Sequence, residues 1–348
     1  MRFANVSICS VAHVDAPYRV SSTDLENRLA APMQRLGLPP GILETLTGIK
    51  ARRMWPASVS PSDAATLAAR RAIAESGVDP ERIGVLISTS VCRDFVEPST
   101  ACLVHGKLGL PPTCLNFDVG NACLGFINGM DIIGNMIERG QLDYGIVVDG
   151  EDSRYVIDKT IERLSAPDST REDFWSNFAT LTLGGTAAAM VLARTDLAQA
   201  LAEKRAEGGY SHQFLGSVIV AATQHSGLCR GQVDRMETDS AELLTAGLRV
   251  AKEAWRAAQR EFGWTPGALD ECVIHQVSRT HTDKFCETFE LDPAKLLATY
   301  PEFGNVGPAG VPMVLSKAAS SGRLGRGDRV GLMGIGSGLN CAMAEVVW

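Results

Sequence analysis

Two stretches of this chain, about 186 residues apart, run through the same order of elements, and that repeat narrows the fold more than any other feature. In the first, a helical pattern from about Ser62 stops at Gly77, Pro80 follows, and an apolar run covers 83–87. In the second, a helical pattern from about Thr245 stops at Gly263, Pro266 follows, and an apolar run covers 271–275. Glycine suits the left-handed residue that ends a helix, and proline a few residues on cannot continue one. Farther along, the turn Asn121-Ala122-Cys123 opens a helix with apolar Phe126, Ile127, Met130, Ile133 and Ile137, closed at Gly140, before a strand at 144–148. Its counterpart is the turn Gly304-Asn305-Val306-Gly307, a helix from about Pro308 to Ser321, and a strand at 329–333. Chance likeness of two α/β segments is the alternative, but order and offset agree together. The expectation is an α/β protein built from two duplicated halves about a pseudo-twofold axis, divided at 1–196 and 197–348. The segment 152–206 finds no counterpart in this reading, and its polar run 165–173 reads as an exposed insertion or loop.

With 348 residues the chain holds about two domains' worth of core. Hydrophobic residues at 45% and charged residues at 21% are an ordinary globular balance. Lys plus Arg number 33 against 40 Asp plus Glu, a net charge of −7, which lacks the cation excess of a nucleic-acid footprint. No window approaches the ~18 unbroken apolar residues of a membrane-spanning helix. The start carries Asn5, Ser7, His13 and Asp15 among its apolar pieces, so it reads as a first strand and not a signal peptide. A soluble, cytoplasmic protein is expected. The nine cysteines are odd in number and no pair has the two-residue spacing of a zinc knuckle, which disfavours both a disulfide framework and a metal cluster. Most read as small buried hydrophobes.

Cys123 has a local context for chemistry. It lies on the first turn of an apolar helix, where unpaired amides and the positive helix end favour a thiolate and lower the thiol pKa. A structural cysteine is the competing reading. His275 ends an apolar strand at the carboxyl side, where α/β proteins place chemistry, although a lone histidine there is more often structural. Asn305 by itself is a turn asparagine; by the repeat it occupies the place of 121–123, and a pseudo-twofold axis brings the two turns together. Cys, His and Asn then make a nucleophile with two hydrogen-bonding partners. The run Gly334-Ile335-Gly336-Ser337-Gly338 follows a strand, but the ten residues after it alternate like another strand, so no helix opens to receive a dinucleotide pyrophosphate. A tight turn presenting backbone N–H groups to a thioester oxygen fits better.

On Asn121-Ala122-Cys123-Leu124, Ile274-His275-Gln276-Val277-Ser278, Gly304-Asn305-Val306-Gly307-Pro308 and Gly334-Ile335-Gly336-Ser337-Gly338-Leu339-Asn340, the chain resembles the thiolase superfamily. Within it, the resemblance is to the ketoacyl-ACP synthase III branch and most to its OleA-like acyl-CoA condensing enzymes of bacterial long-chain olefin biosynthesis. It covers essentially the whole chain. It implies a five-layer αβαβα fold and a homodimer. Cys123 is the implied acylated nucleophile, with His275 and Asn305 binding an enolate or thioester oxygen. The amides of Cys123 and Ser337 are the implied oxyanion hole.

The implied reaction is a non-decarboxylative Claisen condensation of two long-chain fatty acyl-CoAs to a 2-alkyl-3-keto acid, with no metal or redox cofactor and with downstream pathway enzymes as possible partners. The alternative is a decarboxylative 3-ketoacyl-ACP synthase III using malonyl-ACP, which needs no carboxylate base. A base is needed when both substrates are plain acyl thioesters, because an unactivated α-carbon must lose a proton. OleA-like enzymes place their glutamate at the position of Glu97, acting across the dimer interface; without the resemblance Glu97 is a solvated loop carboxylate. One departure concerns coenzyme A. Synthase III enzymes commonly clamp its adenine with a Trp and an Arg before a Thr-Gly-Ile turn, whereas here Ile42 and Leu46 precede Thr47-Gly48-Ile49. Lys50, Arg52 and Arg53 are candidate phosphate contacts or a solvated basic patch.

Overall fold

Nine strands join in one hydrogen-bonded sheet, and the alternation of side chains along them sorts the core into layers. The computed structural model describes residues 1–204 and 210–348. In chain order the strands are β1 (Val6–Asp15), β2 (Ile83–Ser88), β3 (Leu115–Asp118), β4 (Tyr144–Glu151), β5 (Thr186–Arg194), β6 (His212–Ala221), β7 (Glu271–Ile274), β8 (Arg329–Gly336) and β9 (Asn340–Val347). Their spatial order is β7-β8-β9-β6-β1-β5-β4-β2-β3. Among the described residues, β1 and β6 meet through two residue pairs, Ser7 with Gln213 and Ile8 with His212. Outward from that junction both sides repeat one pattern: two antiparallel pairings, then a parallel one. β5, β4 and β2 therefore answer to β9, β8 and β7.

This pairing corrects the expectation for 152–206. β5 lies inside that segment and is the counterpart of β9, a match hidden from the sequence because helical chain separates β4 from β5 while a tight turn separates β8 from β9. Nor is 165–173 wholly a loop. Thr170 and Asp173 cap each other reciprocally and start a helix, Arg171–Asn177.

Among the helices of the layers are α1 (Pro61–Ser76), α2 (Thr100–Leu108), α3 (Gly125–Glu138), α4 (Ser240–Phe262), α5 (Arg279–Phe289) and α6 (Gly310–Ser320). α4 begins at Ser240, before Thr245, because the Asp239 carboxylate accepts from the Glu242 amide at 3.0 Å and caps the helix there. Val85 and Ile87 of β2, Met190 and Leu192 of β5, and Ala342 and Ala344 of β9 share one cluster with α3 and α6. The alternate residues of the first half, such as Leu86, Ile146 and Val191, cluster with α1 and α2. Those of the second half, such as Cys272, Ile274 and Met343, cluster with α4 and α5. With a side-chain period of two and both faces covered, each half-sheet divides one helix layer from another. The result is αβαβα, as expected. Short helices Ser22–Arg28, Ala30–Arg35 and Ile42–Thr47 pack with Arg154–Leu164, Phe174 and Leu181 in a fourth, smaller cluster beside this stack.

α1 approaches the sheet closely because both surfaces are small. Ala64, Ala65, Ala68, Ala69 and Ala72 are fully buried along it. Opposite them, a Cβ on Gly150 of β4 would fall 2.2 Å from the Pro61 carbonyl oxygen and 2.8 Å from the Ala65 nitrogen. Backbone cannot swing aside as a side chain can. Gly150→Ala is expected to lower stability by about 1–3 kcal/mol, the usual cost of overpacking. Urea unfolding with a lower midpoint and an unchanged slope shows this; an unchanged midpoint means α1 is not seated so close.

Candidate active site

Three turns meet at the centre of the layered stack. The first, Ala122–Leu124, links β3 to α3 as one turn of 3-10 helix, with Ala122 at φ 44°, a left-handed conformation that non-glycine residues seldom adopt. The second is the glycine-rich turn between β8 and β9. A Cβ on Gly334 would lie 2.7 Å from Leu124 Cδ2, and one on Gly336 would lie 3.4 Å from the Cys123 nitrogen. Glycine lets the end of β8, just before Ser337, touch the Cys123 turn. Asn340 Nδ2 donates to Asn121 Oδ1 at 3.2 Å, and Asn121 Nδ2 donates to Asn128 Oδ1 at 2.6 Å, tying the turns together.

The third turn, Gly307–Ala309, packs on the Cys123 turn and carries Asn305 at its entry. The Asn305 amide donates to the Thr182 carbonyl at 2.9 Å, and its own carbonyl accepts from the Gly184 amide at 2.8 Å. Its Oδ1 accepts from the Gly307 amide at 3.0 Å, so the NH2 group faces away from the turn as a free-standing donor. His275 follows β7; its amide donates to the Met333 carbonyl at 2.8 Å, and its Nδ1 would be 3.3 Å from a Cβ on Gly310. Both ring nitrogens are shut off from solvent and have no hydrogen-bond partner. Burial, with a smaller contribution from His281, lowers the imidazole pKa to about 4, so the ring is neutral near pH 7.

Cys123, His275, Asn305 and the Ser337 turn thus converge, and Glu97 does not join them. It lies exposed in the loop between β2 and α2. Near it Val96 is 85% exposed and Phe95 58%, and the edge strand β3 presents Leu115 and Phe117 to solvent as well.

Two expectations need correction. The helix end does not decide the state of Cys123: burial first, then the neighbouring Cys229, Glu151 and Asp149, push its thiol up to about 12. Desolvation and adjacent negative groups oppose a thiolate more than one helix terminus supports it. Arg52 does not meet phosphate. It is 1% exposed, and its guanidinium donates to the Leu181 carbonyl at 2.9 Å and to Ser22 Oγ at 3.3 Å. Lys50 is exposed, while Arg53 lies 5.4 Å over the Phe303 ring.

The sequence reading missed Asp149 and Glu151, which end β4 and are buried at the site. Asp149 Oδ2 accepts from Thr89 Oγ1 at 2.6 Å, and Glu151 Oε1 accepts from the Val91 amide at 2.6 Å. Burial raises Glu151 to about 7 and Asp149 well above the usual carboxylate range, the second aided by the first. Their spacing of two was the available signal, since alternate strand residues share a face. Also missed was a cavity of about 840 Å³ lined by Leu46, Trp175, Phe178, Leu228, Arg230 and Thr238. Thr238 Oγ1, in its lining, donates to Cys229 Sγ at 3.4 Å.

Residues 117–206 match the family described as 3-oxoacyl-[acyl-carrier-protein] synthase III, and residues 260–348 match its C-terminal part. An acyl-CoA:acyl-CoA alkyltransferase of Xanthomonas campestris is 50% identical over 348 residues, covering 100% of both chains. The chain belongs to the synthase III family. A second acyl-CoA:acyl-CoA alkyltransferase, from Shewanella oneidensis, is 38% identical over 357 residues, again covering 100% of both chains. Among solved structures, cerulenin-bound Xanthomonas campestris OleA superposes with TM-score 0.95 at 50% identity, covering 100% of this chain and 98% of that one. A cysteine-to-serine variant of the same OleA, with bound lauric acid and lauroyl-CoA, gives TM-score 0.94 at 49% identity over 99% of this chain and 100% of that one. The five-layer arrangement is therefore the thiolase fold of this family.

A resting thiol with a pKa of about 12 makes a specific prediction. Alkylation of Cys123 by iodoacetamide is expected to climb roughly tenfold per pH unit from pH 7 to 9, tracking the thiolate fraction. A plateau already reached at pH 7 would show that the helix end, or a cysteine–histidine ion pair, controls the thiol.

Proposed function

We propose that this protein joins two long-chain fatty acyl-CoA molecules by non-decarboxylative Claisen condensation to give a 2-alkyl-3-keto acid, the entry step of long-chain olefin biosynthesis. The observation that carries the reading is a thiol, a neutral imidazole and a free carboxamide donor on turns that meet between the two halves. They lie in a chain that is 50% identical from end to end to an acyl-CoA:acyl-CoA alkyltransferase. The lauroyl-CoA complex of OleA supports a fatty acyl thioester as substrate.

In the proposed route the Cys123 sulfur attacks the first acyl-CoA, its proton passes through the neutral His275 ring, and coenzyme A leaves as the thiol. The amides of Cys123 and Ser337 face the oxygen of the resulting acyl-cysteine. Glu97 then removes an α-proton from the second acyl-CoA, while His275 and Asn305 donate to the enolate oxygen. The enolate carbon attacks the acyl-cysteine, the cysteine sulfur leaves and is reprotonated, and water hydrolyses the 2-alkyl-3-ketoacyl thioester. Preorganised donors at a developing oxyanion are typically worth ~3 kcal/mol each. Side chains and thioesters carry every step, so the proposal includes no metal or redox cofactor.

Glu97 is proposed to act on the Cys123 of a partner copy. It stands apart from its own site on an exposed face with Phe95 and Val96, and the edge strand β3 exposes Leu115 and Phe117. A homodimer closing on that face covers the apolar surface and delivers each Glu97 to the other chain. The halves 1–196 and 197–348 are then the duplicated units, each contributing to one site. A cytoplasmic location suits thioester substrates; among the described residues no helix is long and apolar enough to cross a membrane. Association with the enzymes that consume the keto acid belongs to the same proposal.

Incubation with one saturated long-chain acyl-CoA alone tests the class. A β-keto acid, or the ketone it yields on losing carbon dioxide, is expected by mass spectrometry; product only with malonyl-ACP would establish the decarboxylative reaction for which the family is named. His275→Ala and Asn305→Ala are each expected to slow condensation about a hundredfold or more while slowing acylation of Cys123 less. Unchanged condensation makes either residue a bystander. A heterodimer of Cys123→Ala and Glu97→Ala chains is expected to keep near half of wild-type activity, because one site retains both groups. A folded, paired but inactive heterodimer refutes action across the interface.

A further inference from the structure

The loop that carries Glu97 is held at both ends, and one of the holds is a buried acid to which no step has yet been given. At the near end, stretch 89–92 is zipped to stretch 149–152. Asp149 accepts from Thr89 Oγ1 at 2.6 Å, Ser90 Oγ accepts from the Gly150 amide at 2.8 Å, and Cys92 Sγ donates to the Asp152 carbonyl at 3.2 Å. Glu151 is the centre of this zip. Its Oε1 accepts from the Val91 amide at 2.6 Å and its Oε2 from the Cys92 amide at 3.3 Å. At the far end, Asp94 accepts from the Ser62 amide at 2.9 Å, and Asp118 accepts from the Thr100 and Ala101 amides at 3.0 and 2.8 Å. Residues 95–98 project between these pins and are exposed.

We infer that Glu151 is a positioning residue for Glu97: by gripping the amides of Val91 and Cys92 it sets the loop that delivers Glu97 to the partner's thiol, and so serves the neighbouring subunit's site. Two adjacent amides pointing inward need two acceptors at one place, and a carboxylate supplies them from a single side chain. Only 3% of Glu151 is exposed, so removing it strands both amides without water to replace it. The Asp94 and Asp118 pins persist without it, and the expected loss is one of aim and not of fold. A competing role exists on the same geometry. The Glu151 carboxyl carbon is 3.6 Å from where a Cβ on Gly307 would stand, and its charge acts on Cys123, so it could instead serve its own subunit's thiol and Asn305 turn.

This inference rests on the proposed action of Glu97 across the interface, and mixed dimers separate the two. In a Glu151→Ala homodimer, Cys123 is expected to take an acyl group from acyl-CoA no more slowly than in the wild type, because a group that raises the thiol pKa is gone, while condensation falls tenfold or more. Glu151→Gln keeps the shape and one acceptor oxygen, so it is expected to recover part of that loss. Pairing a Glu151→Ala chain with a Cys123→Ala chain is expected to restore near half of wild-type condensation. The thiol of the first chain then meets the Glu97 of the second, whose loop is still gripped. The control is the pair of Cys123→Ala and Glu97→Ala. If the control is active and the Glu151→Ala pair is not, Glu151 serves its own site and the inference is overturned; wild-type condensation in the Glu151→Ala homodimer overturns it too. If the control itself is inactive, the across-interface reading of Glu97 fails and takes the inference with it. The Glu151→Gln chain goes through the same pairings, so that a Glu151→Ala chain unable to fold leaves the comparison intact.

Discussion

Contact between two backbone turns is the constraint on which the site depends. At Gly334 and Gly336 the strand end passes so close to Leu124 and Cys123 that the first carries no room for a Cβ, at 2.7 Å from Leu124 Cδ2, and the second little, at 3.4 Å from the Cys123 nitrogen. These turns come from opposite halves, so their contact holds the halves in register where chemistry is placed. The Asn340–Asn121–Asn128 chain of hydrogen bonds then orients them. A similar approach recurs on the Asn305 side, where a Cβ on Gly304 would be 2.3 Å from the Thr182 carbonyl oxygen. Glycine is required at Gly304 for its φ of 66° as well as for space.

Burial is the second shaping effect, and it acts on every titratable group at the centre in the same sense, against charge. It keeps the His275 ring neutral, the Cys123 thiol protonated, and the acids of Asp149 and Glu151 above their usual range. A neutral ring beside a protonated thiol can move a proton without an ion pair being formed in advance. Free donors in such surroundings suit charge that develops only during a reaction, which is where preorganised dipoles are most effective. Glu97 is the exception. Exposed on its loop, it lies apart from that buried centre.

Much of the site was legible in the sequence because its residues lie at element ends with strong local signals. Gly77 and Gly263 adopt the left-handed helix-ending conformation that their positions suggested, with φ of 68° and 69°. Cys123 after Asn121-Ala122, His275 after an apolar strand, and Asn305 between two glycines could each be picked out, and the glycine-rich turn could be separated from a dinucleotide loop by the strand that follows. Asp149 and Glu151 were passed over because the strand was ended at its last apolar residue. The polar end of a buried strand looks like a loop until its partners are known. β5 was missed as the counterpart of β9 because the helical stretch before it breaks the even spacing of the repeat.

The sequence by itself determined the elements, their duplicated order and the identity of the candidate site residues, since each of these follows from local periodicity, turn chemistry and residue type. Only the tertiary structure decided the protonation states and the groups that hold the machinery in place. The helix end predicted a lowered thiol pKa, but the sign is set by how much water and how many acids surround the sulfur, and Cys229 arrives there from one part of the chain, Asp149 and Glu151 from another. Arg52, close to Lys50 and beside Arg53, reads as a phosphate contact or as part of a solvated basic patch. Folding buries it against Leu181 and Ser22, because a guanidinium can satisfy oxygens from segments 129 and 30 residues away that no local pattern foretells.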